Sequence, residues 1–178
     1  MEIIKTPFEG LLILQTVNYK DNRGRFQKLF NYDFFKENSL DCDFKEFYYS
    51  VNETNVMRGM HFQTPPFAHT KVVYVSKGRI KDVVVDIRKN SATYGKCFSL
   101  ELDDQLGQYL YIPKGFAHGF VSLEDGSIVN YAQTTCYAKD HDCGIDATSI
   151  GFDWGIENPI RSGRDLTFEK LNVFNSPF

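Results

Sequence analysis

Lys71-Val72-Val73-Tyr74-Val75-Ser76-Lys77-Gly78-Arg79-Ile80-Lys81-Asp82-Val83-Val84-Val85-Asp86-Ile87 decides the fold class of this chain. Both halves are dense in β-branched and aromatic residues, the side chains that pack best on a pleated surface. Lys77-Gly78 separates them at hairpin spacing, which predicts strands over Lys71–Ser76 and Arg79–Ile87. The pattern recurs on both sides. Upstream, strands are predicted over Leu11–Val17, Phe26–Phe30 and Phe44–Val51; downstream, over Lys96–Leu102, Tyr109–Ile112, Phe116–Leu123 and Ile128–Thr134. Turn residues divide them at Asp21-Asn22-Arg23-Gly24-Arg25 and Pro113-Lys114-Gly115, and Asp125-Gly126 again sits at hairpin spacing. Asn31 to Asn38 is a helical candidate capped by Asn31 or Asp33, and a short helix is expected near Asp165 to Asn172. Many short strands at roughly ten-residue spacing mean a sandwich or barrel rather than alternating strands and helices. The expected architecture is all-β, with a few short peripheral helices.

Bulk properties narrow the function. A chain of 178 residues is one domain by length, large enough to bury a core. The net charge of −3 and pI near 5.8 lack the basic face that nucleic acid requires. No apolar run approaches the roughly 20 residues that span a bilayer. Met1-Glu2-Ile3-Ile4-Lys5 lacks the layout of a signal peptide. Cys42, Cys97, Cys136 and Cys143 have no CxxC spacing, so reduced thiols are expected rather than a zinc site. The expectation is a cytoplasmic protein with neither nucleic acid nor membrane as partner.

The chemistry concentrates at Arg58-Gly59-Met60-His61-Phe62-Gln63, between strand-like segments. In a regular strand Arg58 and Met60 share one face and His61 and Gln63 the other, with Gly59 free to bend the strand. A histidine facing a cavity titrates near neutrality and both takes and returns a proton. Lys71 and His118 lie on other strands, and a rolled sheet would bring them to the same mouth as His61. A metal site needs a His-x-His pair at strand spacing; position 63 is Gln63, so no metal is expected.

Arg58 to Gln63, Lys71 opening a strand, Asp82-Val83-Val84-Val85-Asp86-Ile87-Arg88, and Ile112-Pro113-Lys114-Gly115-Phe116-Ala117-His118-Gly119-Phe120 together resemble the nucleotide-sugar 3,5-epimerases of the dTDP-4-dehydrorhamnose type. The match in order and spacing covers roughly residues 10 to 170. The resemblance implies a metal-independent cupin, a jelly roll spanning 1–178 that works as a homodimer without a cofactor. Its substrate is a nucleoside-diphosphate 4-keto sugar, and its setting is the synthesis of sugars for capsule, lipopolysaccharide or another glycoconjugate. By position, the resemblance implies His61 as general base, Asp165 as the carboxylate that orients it and Tyr131 as the phenol on the opposite face. Lys71 falls beside the C4 oxygen and His118 in the pocket wall. Arg23 and Arg58 fall on pyrophosphate or sugar, Phe26 on the pocket lining, Asn52 on the nucleotide and Tyr137 on the base. Asp142 and Arg164 complete the binding set. Taken singly, each has a plain structural reading: Arg23 as a solvated turn residue, Lys71 as a strand-edge charge, Tyr131 and Tyr137 as core aromatics, Asp165 as a helix cap.

The chain departs from the family's pattern near the nucleotide. Phe26 is followed by Gln27 and Lys28 where the family carries an acid, Ser50-Val51-Asn52-Glu53-Thr54 keeps only the Asn of its motif, and Ala132 replaces a lysine. An acid-to-base change at Lys28 alters hydrogen bonding to the nucleobase. These departures lead to the expectation of a GDP-linked 4-keto-6-deoxy-heptose, with dTDP-4-keto-6-deoxyglucose or a metal-dependent cupin isomerase as alternatives. A non-catalytic sugar-nucleotide-binding module is a third class, distinguished by binding without proton exchange.

Overall fold

The computed structural model describes residues 1–178. In chain order its strands are β1 (Glu2–Lys5), β2 (Leu12–Gln15), β3 (Asn18–Asp21), β4 (Gly24–Gln27), β5 (Glu46–Asn52), β6 (Met57–Gln63) and β7 (Lys71–Lys77). After these come β8 (Arg79–Asp86), β9 (Cys97–Asp103), β10 (Gln108–Ile112), β11 (Phe116–Ser122), β12 (Ser127–Gln133) and β13 (Asp142–Gly144). One sheet runs β1-β2-β10-β7-β12-β5 and the other β13-β6-β11-β8-β9, while β3 and β4 form a separate ribbon. Every pairing within these sheets is antiparallel, so the expected all-β sandwich is the architecture.

Burial explains why β8 reads as a nearly continuous apolar run. Ile80 and Val84 face the inter-sheet core with Val73, Val75, Leu110 and Val129 of the first sheet. Val83 and Val85 point the other way, into a second core roofed by Ile145, Ile150 and Trp154 from the irregular tail. Both faces of the strand are therefore dry. The one α-helix, α1 (Tyr32–Glu37), closes the outer face of the first sheet through Phe35, whose ring meets Phe44 and Tyr111 edge-on. Asn31, not Asp33, caps it, accepting the Phe34 N–H at 2.9 Å. No helix is long and apolar enough to cross a membrane.

The two expected hairpins are not hairpins. β7 and β8 lie in opposite sheets, as do β11 and β12, so Lys77-Gly78 and Asp125-Gly126 carry the chain over the edge of the sandwich. Positive φ at Gly78 (+79) and Gly126 (+69) gives each corner its sharp bend. Only β1–β2, β3–β4 and β8–β9 join sequence neighbours; the other ladders are long-range. A turn and a corner share the same local residues, and the difference lies in which distant strand completes the ladder.

Smaller corrections follow the same logic. The predicted Phe26–Phe30 strand is shifted to Gly24–Gln27, where β3 gives it a partner, and the predicted Asp165–Asn172 helix is a single 3-10 turn over Asp165–Thr167. β1, β3 and β13 were not predicted: they are only three or four residues long.

Candidate active site

A cavity of about 400 Å³ takes its walls from both sheets. His61 on β6 and His118 on β11 come from one sheet; Lys71 on β7, Tyr131 on β12, and Tyr48 and Ser50 on β5 come from the other. Tyr137, Asp142 and Arg164 complete the lining, and Arg58 joins His61 on the same wall.

That last placement corrects the expected alternation. His61 pairs with His118 and Arg58 with Phe120, so three steps along β6 match two along β11. The extra residue is a β-bulge at Gly59-Met60, which brings Arg58 and His61 to the same side and sends Met60 into the outer core. Gly59 has φ +124, and a Cβ on it would stand 2.5 Å from the Cα of Gly119. Nothing larger fits between these strands.

Asp165 ties the bulge to the imidazole. Its Oδ2 accepts the Gly59 N–H at 3.0 Å and its Oδ1 lies 2.9 Å from His61 Nε2, with the side chain buried. Burial pulls the Asp165 carboxyl upward, but the His61 and Gly59 hydrogen bonds outweigh it and hold it below the usual carboxylate range. An ionised Asp165 needs a donor at Nε2, which leaves Nδ1 of neutral His61 as the basic atom.

The facing wall is polar, with Lys71 and Tyr131 buried in it. Burial drives the Tyr131 phenol strongly upward, so it stays protonated and able to donate. Its ring stacks on Tyr48 at 4.6 Å and meets His118 edge-on at 6.3 Å. Lys71 is buried in the cavity wall, and burial lowers its ammonium to about 8 against the pull of Asp82 and Asp142. At neutral pH it is a cation held out of bulk water. His69 also lines the cavity, kept neutral by burial and by Lys71, which push it down to about 3. No three His, Cys, Asp or Glu side chains converge as a metal-ligand set.

The remaining expected residues divide. Asn52 sits just behind the wall, nearly fully buried, accepting the Arg58 Nε–H at 2.7 Å and so aiming the guanidinium. Arg164 pairs with Asp142 at 2.8 Å on the rim, and Tyr137 lies largely open to solvent there. Arg23, Phe26 and Lys28 do not line this cavity. Arg23 is bound to Asp21 at the tip of the β3–β4 hairpin, and Phe26 and Lys28 border a separate depression with Met1, Tyr19 and Phe34.

Sequence reasoning gave no site role to Tyr48, Glu46, Gln63 or Asp82. Glu46 accepts the Tyr137 N–H at 2.6 Å, and Gln63 accepts the Ala138 N–H at 2.7 Å; both brace the rim. Asp82 is fully buried and lies 2.8 Å from His118 Nε2. It carried a signal: a carboxylate at an inward position between the core residues Ile80 and Val84 demands a buried partner.

Comparison with known proteins falls on this geometry. The family model for dTDP-4-dehydrorhamnose 3,5-epimerase matches residues 5–172. The chain belongs to this epimerase family. A dTDP-4-dehydrorhamnose 3,5-epimerase of Methanothermobacter thermautotrophicus is 43% identical over 173 residues, covering 94% of this chain and 93% of that protein. The dTDP-4-dehydrorhamnose 3,5-epimerase of Bacillus anthracis, solved with TDP and pyrophosphate bound, superposes with a TM-score of 0.92 at 32% identity, over 95% of this chain and 98% of that one. The dTDP-6-deoxy-D-glucose 3,5-epimerase of Legionella pneumophila, in complex with dTDP-4-keto-L-rhamnose, gives 0.92 at 30% identity, over 98% and 94%. The family is one of isomerases, and the sandwich is its cupin-like jelly roll.

Proposed function

We propose that this epimerase-family chain inverts C3 and C5 of dTDP-4-keto-6-deoxyglucose. The observation that carries the reading is the opposition of the His61–Asp165 pair on one sheet to Lys71 and Tyr131 on the other, across one cavity. A C4 ketone acidifies the protons on both neighbouring carbons, because the carbanion formed is an enolate. In the proposed step His61 Nδ1 takes one such proton and the electron pair moves onto the C4 oxygen. The Lys71 ammonium, already in place and poorly hydrated, stabilises that oxyanion. Tyr131 delivers a proton from the other face, which inverts the centre. Arg58 and Arg164 suit the diphosphate, whose oxygens match planar guanidinium forks, and Tyr137 suits stacking on the base.

The names of the relatives support dTDP over the expected GDP-heptose. We read residues 1–178 as one domain of a cytoplasmic homodimer that makes a deoxysugar for a surface glycoconjugate. Exposed Phe47, Tyr49 and Val51 on edge strand β5 support self-association. In a dimer, the β3–β4 hairpin is free to present Arg23, Phe26 and Lys28 to the second copy's cavity. The test is incubation in D2O with dTDP-4-keto-6-deoxyglucose and, separately, a GDP-linked 4-keto-6-deoxy-heptose, followed by mass and proton NMR. Deuterium at C3 and C5 of the dTDP sugar is expected. Exchange with the GDP sugar alone would return the reading to a heptose, and exchange with neither would point to a binding role.

A further inference from the structure

Two carboxylate–imidazole pairs flank the cavity, and the proposed reaction uses only one. The second, Asp82 with His118, is the more deeply buried: both side chains are almost entirely removed from solvent. Asp82 stands on β8 and His118 on the adjacent β11, on the same inward face, since Asp82 pairs with Phe120 two residues on. Asp82 Oδ2 lies 2.8 Å from His118 Nε2, but Oδ1 has no hydrogen-bond partner. A half-satisfied carboxylate in a dry core is costly, by more than a neutral acceptor of the same shape. A carboxylate oxygen left unpartnered at such a position is favoured by a nearby cation, and the buried cation of the cavity that His118 lines is Lys71.

We propose that Asp82 is a positioning residue that holds His118 in one tautomer and supplies the negative charge that keeps Lys71 an ammonium while it faces the substrate oxygen. The proposal rests on the reading of Lys71 given above. With Asp82 ionised, Nε2 of His118 carries the proton and Nδ1 is left to the cavity. Asp82 is also the leading opposing charge against the burial that lowers Lys71. Other titratable groups act on Lys71: Asp142 on β13 raises it, and Lys71 in turn depresses His118 on β11 and His69 just before its own strand. Arg58 and Asp82 act in opposite senses on Tyr131. Asn at position 82 keeps an acceptor for His118 Nε2–H and removes only the charge, which makes Asp82→Asn the informative change.

The measurement is a pH titration of the Lys71 ¹³Cε resonance in labelled full-length protein, wild type and Asp82→Asn, with deuterium wash-in from D2O recorded across the same range. In the wild type the midpoint is expected near 8. In the variant it should fall by about one unit or more, and the alkaline limb of wash-in should move down with it. An unchanged midpoint in a folded variant overturns the proposal. Should the variant not fold, the Asp82 ¹³Cγ resonance of the wild type decides: an inflection at the Lys71 midpoint supports the pairing, and its absence overturns it. Neither NMR readout needs a substrate. A wild type inert toward the dTDP sugar would therefore count against the proposed reaction while leaving the role of Asp82 to the titration.

Discussion

At the scale of single residues, the division of labour proposed for His61 and Tyr131 has separable consequences. His61 is oriented by a buried carboxylate and Tyr131 is held protonated by burial. His61→Asn should lower deuterium wash-in by about 10²- to 10⁴-fold, because it removes the proposed base. Tyr131→Phe should behave differently. Proton removal continues, so deuterium still enters C3 or C5, but the product retains its configuration because nothing donates from the far face. Wash-in by mass spectrometry and stereochemistry by NMR distinguish the two; inversion surviving in Tyr131→Phe would remove the tyrosine from its role. The convergence of His61, Lys71 and His118 was legible because each belongs to a stretch that the family resemblance picks out. Asp82 opens another such stretch, yet nothing local shows that its partner is His118, 36 residues further on.

At the scale of elements, the β6 bulge is the feature that sequence periodicity could not anticipate. Alternation assumes a regular ladder, and Gly59, lacking a side chain, gives no sign of which face it abandons. The closeness of Gly119 and the positive φ make Gly59→Ala untenable: a loss of about 3 kcal/mol or more is expected, with misplacement of both Arg58 and His61. Chemical denaturation measures it, and a variant of native stability would mean that β6 and β11 are not so closely apposed. A second element-level test lies at the end of β8. Asp86, fully buried, gathers Arg88, Ser91 and Thr93 and so shapes the connection to β9. Burial raises its carboxyl, but these hydrogen bonds prevail and bring it down to about 2. A depressed carboxyl stabilises the fold above the unfolded-state value and loses that stabilisation as pH falls through the folded one. Asp86→Asn should therefore cost about 1–2 kcal/mol at pH 7, allowing for screening at partly exposed Arg88, and the gap to wild type should close between about pH 4 and pH 2. Urea titrations at pH 7 and pH 3 read this directly. Strand existence was legible here because β-branched density is local information. Sheet membership was not, because it depends on partners dozens of residues away.

At the scale of the whole molecule, the exposed face of β5 predicts the assembly. Phe47, Tyr49 and Val51 present an apolar row to solvent on an edge strand, which monomers ordinarily blunt with charge. Sedimentation is expected to give a dimer for the wild type and a monomer for a Phe47→Lys, Tyr49→Lys double variant; equal masses would place the interface elsewhere. The corner turns at Gly78 and Gly126 carry a further consequence, for synthesis on the ribosome. Because they switch sheets, β5, β6 and β7 find their ladder partners only among β10 to β13, all beyond residue 107. Translation at about 5–20 residues per second leaves Val72-Val73-Tyr74-Val75 without a native strand to bind for some seconds after it is made. The nascent chain between residues 46 and 107 is thus a natural client for chaperones that shield apolar strands, and the walls of the active site can close only when the last third of the protein arrives.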